Sequence, residues 1–368
     1  MNKDKLSGTY YTPHNAIQFM IEYLKKERQN FSNVLEPSAG DGRFLPLLQE
    51  HAAHITAIEL FQEKVDQMSR EYAEDSCTII KDNFLDFAVR TSERYSLIIG
   101  NPPYINKKLM SKEDIEKARI ICEKVKLNGT VIQNMWLAFV VGACRLLEPG
   151  GSIFFVLPME FLQVQYAERL REYLEKIFNK IHIIVFQEAL FPKIEQEVCL
   201  VYLTNQNCAE RHIRYKVYED CRKRVVLQEN SIRWNKPLKK WSNAILNDDD
   251  ISLLKNAVSR YPKIKSMGEI APGIVTGGNR YFILTEEKVE EYQCREFVLP
   301  IVQKASYISK NTMEISRTVI EEIGRNNKPV YLLNLFAEKD IERLPVKLQE
   351  YLSWAGEQKV GDISLKNC

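Results

Sequence analysis

Apolar positions in the first 200 or so residues fall into short blocks, separated by stretches in which apolar residues return every three or four positions. Blocks rich in Val, Ile and Phe read as strands buried on both faces, and the helical spacing between them reads as amphipathic helix. The pattern predicts strands at 33–36, 54–59, 77–81, 95–99, 151–157, 180–186 and 198–203. Helices are predicted at 13–26, 43–50, 61–72, 131–147 and 164–178. Thr12 is expected to cap the first, with Pro13 in its first helical position, and Glu148-Pro-Gly-Gly151 to stop the fourth. No convincing helix separates the last two strands, which Phe191-Pro-Lys193 joins instead. The class is therefore α/β, a mostly parallel sheet with an antiparallel final pair.

After about residue 207 the pattern changes to short mixed runs, clustered aromatics (Tyr215, Tyr218, Trp234, Trp241) and an acidic turn at 248–250. We place a linker near 230–245, a first domain at 1–235 and a second at 245–368. The turn formers of 271–279 precede a strand-like 280–284.

Composition changes this picture little. With 45% hydrophobic and 27% charged residues, disordered and fibrous classes are excluded. The first residues hold no signal-peptide core, and no apolar run approaches the ~20 residues of a membrane span, so a cytoplasmic protein without a membrane partner is expected. The eight cysteines are scattered without a Cys-x-x-Cys pair, so neither a metal site nor a disulfide framework is expected. Charge says more. Residues 211–268 hold 14 Lys and Arg against 6 Asp and Glu, a net of +8, while the rest of the chain carries −6. A basic segment on an acidic chain points to a polyanionic partner.

The candidate chemistry lies at the strand ends. Strand 33–36 runs into Glu36-Pro-Ser-Ala-Gly-Asp-Gly-Arg43, where Gly40 and Gly42 let the backbone approach a ligand. The spacing is neither the Gly-x-Gly-x-x-Gly of a dinucleotide site nor a phosphate-binding loop. Glu59 ends the next strand, where a carboxylate can accept from both hydroxyls of a ribose. Asp82 closes the third, where it could accept from an adenine amino group, with Phe84 or Phe139 supplying an apolar face. Acids after two successive strands favour an adenosine-bearing cofactor without a pyrophosphate.

Asn101-Pro-Pro-Tyr104 follows the fourth strand. Its prolines fix the backbone and remove two N–H donors, which ends the strand and leaves carbonyls without local partners. With the Asn101 side-chain carbonyl they form an acceptor niche for an amino group. Accepting both amine hydrogens would activate the nitrogen without a strong base. Tyr104 offers an aromatic face for a planar group.

In this order, Gly8-Thr-Tyr-Tyr-Thr-Pro13, Glu36-Pro-Ser-Ala-Gly-Asp-Gly-Arg-Phe44, Glu59, Asp82 and Asn101-Pro-Pro-Tyr104 resemble the γ class of N6-adenine DNA methyltransferases, the group of Taq-type modification enzymes. Leu146-Leu-Glu-Pro-Gly-Gly-Ser-Ile-Phe-Phe-Val-Leu-Pro158 and Leu190-Phe-Pro-Lys193 are similar too, and the likeness is dense over 8–204 and thin beyond. The resemblance implies a Rossmann-like, seven-stranded class I domain that uses S-adenosyl-L-methionine, followed by a smaller mixed target-recognition domain. It implies a site-specific, adenine-specific DNA methyltransferase acting on N6 of an adenine flipped out of double-stranded DNA. It further implies the modification component of a restriction-modification system, with any endonuclease a separate protein and no metal.

Carried over by motif, Thr12 and the loop residues Glu36, Ser38, Ala39, Gly40 and Gly42 hold the methionine part of the cofactor. Glu59 holds its ribose, and Asp82 with Phe84 and Phe139 its adenine. Phe84 stands one position later than the family's aromatic. Asn101, beside the cofactor, and the Pro102 carbonyl, stiffened by Pro103, bind the target amine, while Tyr104 and Phe191 sandwich the base.

Asn-Pro-Pro-Tyr sites also occur in methyltransferases acting on RNA adenine or protein glutamine. The Gly-x-Tyr-x-Thr-Pro element ahead of the glycine loop, and a large extra domain with a basic approach, favour DNA. A DNA-binding subunit without catalysis is disfavoured because the niche is complete. Ile274-Val-Thr-Gly-Gly-Asn-Arg-Tyr-Phe282 and Leu299-Pro-Ile-Val-Gln-Lys304 resemble the start of the family's recognition domain. The chain then ends at Cys368 sooner than the resemblance leads us to expect, which reads as a shortened version.

Overall fold

Neighbouring apolar residues in one strand point to opposite sides of a sheet. Here Val34 and Leu35, Leu97 and Ile98, Phe154 and Phe155, and Ile183 and Ile184 are all buried, and the two members of each pair belong to different cores. That is why the strands read as unbroken apolar blocks. The computed structural model describes residues 11–27, 31–72, 76–129, 132–191, 197–204, 211–234, 237–238, 240–246, 248–269, 274, 276, 278–309, 312, 314–336, 338, 340–360 and 363–364. Gly8, Thr9 and Tyr10 of the first motif, Pro192 and Lys193, and most of 270–277 lie outside the described residues.

The chain divides into two units, residues 1–260 and 261–368. In the first, strands β1 (Phe31–Glu36), β2 (Ala52–Glu59), β3 (Cys77–Lys81), β4 (Tyr95–Gly100), β5 (Leu147–Pro158), β6 (Lys180–Phe186) and β7 (Val198–Thr204) overlap the seven predicted, except that β5 takes in Glu148–Gly151, which was expected as a helix stop. Two strands that the pattern did not predict, β8 (His212–Tyr218) and β9 (Val226–Arg233), extend the sheet to nine in the order β3-β2-β1-β4-β5-β7-β6-β8-β9. β7 runs antiparallel between β5 and β6, as expected, and β8 lies parallel on β6.

Helices α1 (His14–Glu27), α2 (Leu45–Gln49), α3 (Gln62–Glu71), α4 (Phe84–Arg90), α5 (Lys112–Lys124), α6 (Met135–Leu146), α7 (Glu168–Ile177) and α8 (Asp248–Arg260) belong to the same unit. Three expectations change here. α4 and α5 were not predicted, and the helix expected at 43–50 begins at Leu45, which leaves Arg43 in the loop. The 248–250 turn is the first turn of α8.

The linker expected near 230–245 is not one. Trp241 is fully buried in the core over α7, with its ring edge on Phe161. Its Nε1 donates to Glu175 at 2.6 Å, and the Leu238 amide donates to the same carboxylate at 2.9 Å. Residues after the last strand thus complete the first unit's core, and the division falls at 260/261 instead.

The second unit has its own core of Tyr281, Leu284, Val289, Leu348 and Tyr351 around a three-stranded antiparallel sheet. Strands β10 (Ile283–Leu284), β11 (Val298–Pro300) and β12 (Tyr331–Leu333) form it in the order β10-β12-β11. The strand expected at 280–284 is only its last two residues, because Asn279–Phe282 form a helical turn. Among the described residues no helix is long and apolar enough to cross a membrane.

Candidate functional site

β1, β2, β3 and β4 are mutually parallel, so the loops that follow them share one edge of the sheet. Four hydrogen bonds lace these loops together. Ala39 N donates to Ile58 O at 2.9 Å, and Asp82 N to Glu59 O at 3.0 Å. Gly40 N donates to Glu59 Oε2 at 2.8 Å, and Ser38 Oγ to the backbone carbonyl of Asn101 at 3.1 Å. The glycine loop is therefore tied to the acid of β2 on one side and to the Asn-Pro-Pro-Tyr turn on the other.

Gly40 (φ +60°) and Gly42 (φ +77°) occupy the left-handed region that glycine tolerates. A Cβ on Gly42 would lie 2.9 Å from the Met68 side chain, so α3 packs directly on this loop. Glu59 is buried, and its second oxygen accepts from Phe61 N at 2.9 Å.

Among the described residues, the buried Thr12 Oγ1 and Glu36 Oε2 here meet no hydrogen-bond partner. Thr12 therefore does not cap α1, as the sequence suggests. The first turn closes on Pro13 O instead, and the buried hydroxyl is left over. Glu36 is fully enclosed and has its pKa pushed well above the ordinary carboxylate value, first by burial and then by Asp41 and Glu59. An acid whose pKa rises on folding costs nothing below the unfolded value of about 4.3, where both states are protonated. As pH rises past that value the unfolded chain loses the proton, the folded chain keeps it, and stability falls. Glu36→Gln is thus expected to gain stability over the ligand-free parent between pH 5 and 7, measured as the difference in urea midpoint. A pH-independent difference would contradict the assignment.

Arg43 is a member the sequence reading quoted without giving it a role. Its guanidinium pairs with both oxygens of Asp41 at 2.8 and 2.6 Å, donates to Thr12 O at 2.8 Å and lies 4.7 Å from the Tyr11 ring centre. It clamps the segment before α1 onto the glycine loop. A bidentate pairing and a bond to a carbonyl 31 residues away are invisible in a string of letters, so only its place directly after Gly42 hinted at it.

Asp82 Oδ1 accepts from Asn83 N at 2.8 Å, and Oδ2 pairs with Arg90. Asn83 caps α4 through Leu85 N, which turns Phe84 inward. Phe84 and Phe139 meet at 4.6 Å between ring centres and are only 2% and 5% exposed, so the structure brings this pair together but as part of the core under the site. Leu60 and Phe61, directly after Glu59, are each 52% exposed and were not singled out in the sequence.

In the Asn101–Tyr104 turn Pro102 is buried, and Tyr104 Oη donates to Val156 O at 3.1 Å, which seats the ring across the end of β5. Phe191 does not join it. It is buried in the core of the opposite sheet face, and among the described residues no ring contact links it to Tyr104. Nor does any cluster of His, Cys, Asp or Glu among the described residues suit a metal ion.

Comparison with known families places this arrangement. Residues 23–189 match the model described as Eco57I restriction-modification methylase, and residues 238–363 match the C-terminal domain of Type II methyltransferase M.Eco57I. Two successive parts of the chain are thus each similar to an Eco57I-type restriction-modification methylase. The chain is 26% identical over 353 residues to Type II methyltransferase M.AccI of Acinetobacter calcoaceticus, covering 90% of this chain and 62% of that one. To Type II methyltransferase M.HincII of Haemophilus influenzae it is 26% identical over 204 residues, 54% of this chain and 38% of the relative. The chain thus spans less than two thirds of the length of either. Among solved structures, a DrdV–DNA complex superposes with a TM-score of 0.55 at 15% identity, over 88% of this chain and 41% of that one, a likeness of fold.

Proposed function

We propose that the chain is a site-specific DNA methyltransferase that moves a methyl group from S-adenosyl-L-methionine to the N6 amino group of an adenine flipped out of duplex DNA. The observation that carries this reading is the lacing of the strand-end loops. Glu59 and the Asn101 turn both bond to the loop that holds Gly40, so an adenosine-binding edge and an amine-accepting niche share one rigid frame.

The residues suit the cofactor. Thr12 Oγ1 and Glu36 Oε2 are buried hydrogen-bonding atoms in want of partners, as a ligand's ammonium and carboxylate would supply. Glu59 holds ribose hydroxyls. Asp82 faces the adenine amino group, and the exposed Leu60 covers the ring, while Phe84 and Phe139 act from beneath as packing. S-adenosyl-L-methionine, when bound, supplies an electrophilic methyl group on a sulfonium.

Everything else falls to the chain. Asn101 Oδ1 and the Pro102 carbonyl accept the two amine hydrogens, which concentrates electron density on the nitrogen and fixes its lone pair. Pro103 keeps the turn from relaxing, and Tyr104 offers its face to the extruded base. The nitrogen releases its extra proton afterwards, and no strong base is required. Phe191 would have to leave its core position to complete a sandwich. The unit 1–260 acts as the catalytic domain and 261–368 as the target-recognition domain, with double-stranded DNA as the partner and any cognate endonuclease a separate protein. The relatives' name, Type II methyltransferase, and the DNA in the DrdV complex support this reading.

The test incubates the protein with labelled S-adenosyl-L-methionine and unmethylated duplex DNA, RNA or a glutamine-bearing peptide, and digests each product. N6-methyladenine in the duplex DNA is expected. Label on cytosine, on RNA alone or on the peptide overturns the reading.

A further inference from the structure

Beyond the niche the chain makes a second feature at the same edge of the sheet. Lys107–Leu109 form a single 3-10 turn, begun by Asn106, whose side-chain oxygen accepts from Lys108 N at 3.0 Å. Leu109 projects from it 68% exposed, the most exposed large apolar side chain among the described residues between 11 and 233. A lone exposed leucine on a loop free to move needs no explanation. This one is held.

The turn has buried feet on both sides. Ile105 packs against the core before it, and Met110, 8% exposed, after it. The Ile105 carbonyl accepts from Met135 N at 2.8 Å, and Lys107 N donates to Gln133 O at 2.9 Å, which pins the turn to the start of α6. Leu109 N closes it on Asn106 O at 2.8 Å. Lys107 and Lys108 directly precede the tip in the same turn, and no ion pair to an acid is found for either among the described residues. A rigid apolar point next to two cations without an acidic partner suits a polyanion with an apolar interior.

We infer that the turn is a DNA wedge: Leu109 enters the base stack at the gap left by the extruded adenine, and Lys107 and Lys108 hold phosphates beside it. This rests on the DNA methyltransferase reading above. Extruding a base leaves an unfilled gap in the stack, and an apolar side chain that fills it stabilises the open state. The distance along the chain agrees, since Leu109 stands five residues after the ring that would face the base. Charge does as well, since each lysine that neutralises a phosphate releases counterions.

The test uses a duplex bearing a sequence in which the parent protein methylates adenine, located by mapping the label on a longer duplex, either fully paired or with the target adenine mispaired. Leu109→Ala is expected to lower kcat/KM on the paired duplex roughly 10- to 100-fold, and by no more than a few-fold on the mispaired one, whose base is already loose. With 2-aminopurine at the target position, the same variant should give weaker emission from the paired duplex. Leu109→Met, which keeps the bulk, should restore both, and cofactor affinity should not move in either variant. Lys108→Gln should reduce the slope of log affinity against log salt by about one. Equal losses on both duplexes, or no loss on the paired one, would overturn the wedge. A parent protein that methylates no DNA overturns the methyltransferase reading and the wedge together, whereas an active parent with an unaffected Leu109→Ala overturns the wedge alone.

Discussion

Asn101→Ala abolishes methyl transfer, by about 10³-fold, and leaves cofactor affinity within a few-fold of the parent: that is the result expected if the turn after β4 is an amine niche. The magnitude is that of removing one preorganised hydrogen-bonding group aimed at developing charge, about 4 kcal/mol of barrier. The substitution is confined to what it tests. The bond from Ser38 Oγ goes to the Asn101 backbone carbonyl, which alanine keeps, and Pro102 and Pro103 hold the turn whatever precedes them. The glycine loop and Glu59 should therefore stay in place. Single-turnover rates at saturating cofactor measure the first quantity and calorimetric titration the second. If turnover is unchanged, the prolines do no more than end a strand.

The largest effect on stability is expected at Trp241. Trp241→Ala removes a fully buried ring and should cost about 3–5 kcal/mol, as large-to-small core changes do. Glu175 adds to this loss. It is 1% exposed and accepts from Trp241 Nε1 and the Leu238 amide. Burial already raises its pKa, and the tryptophan bond works against that rise. Without the ring the carboxylate keeps fewer partners in the same dry place. The expected observation is a lower urea midpoint for the whole first unit. A change under 1 kcal/mol would mean that residues 241–245 are loosely attached and the boundary lies nearer 235 after all.

Trp241 also marks where the sequence stops being legible. Blocks such as Tyr95-Ser-Leu-Ile-Ile99 announce themselves because both faces of the sheet are covered, so every position is apolar. β9 is hidden for the opposite reason. It lies at the sheet's edge and alternates exposed with half-buried residues, and Val226-Leu-Gln-Glu-Asn-Ser-Ile-Arg233 looks like a polar loop. α4 is short, and its Phe84 was spent on a ligand-binding role when the helix cap turns it into the core.

At the site, the residues fixed by backbone position were readable. Gly40 and Gly42 need their left-handed conformation, and Glu59 and Asp82 follow from where strands end. The side chains that act through distant partners were not. Nothing in the letters brings Arg43 to Thr12 or sends Phe191 to the far face, because both depend on how loops fold back over the sheet.

The parallel seat of β8 on β6 bears on how the chain assembles as it is made. By Thr204 the inner strands are complete, yet β6 still lacks a neighbour on one side, and a bare strand with its amides and carbonyls open pairs readily with a second molecule. Only a short connection separates Thr204 from His212, and His212 N closes on Asn179 O at 3.0 Å, just before β6 begins. The covering strand follows the one it must pass almost at once, so a nascent chain carries that sticky rim only briefly.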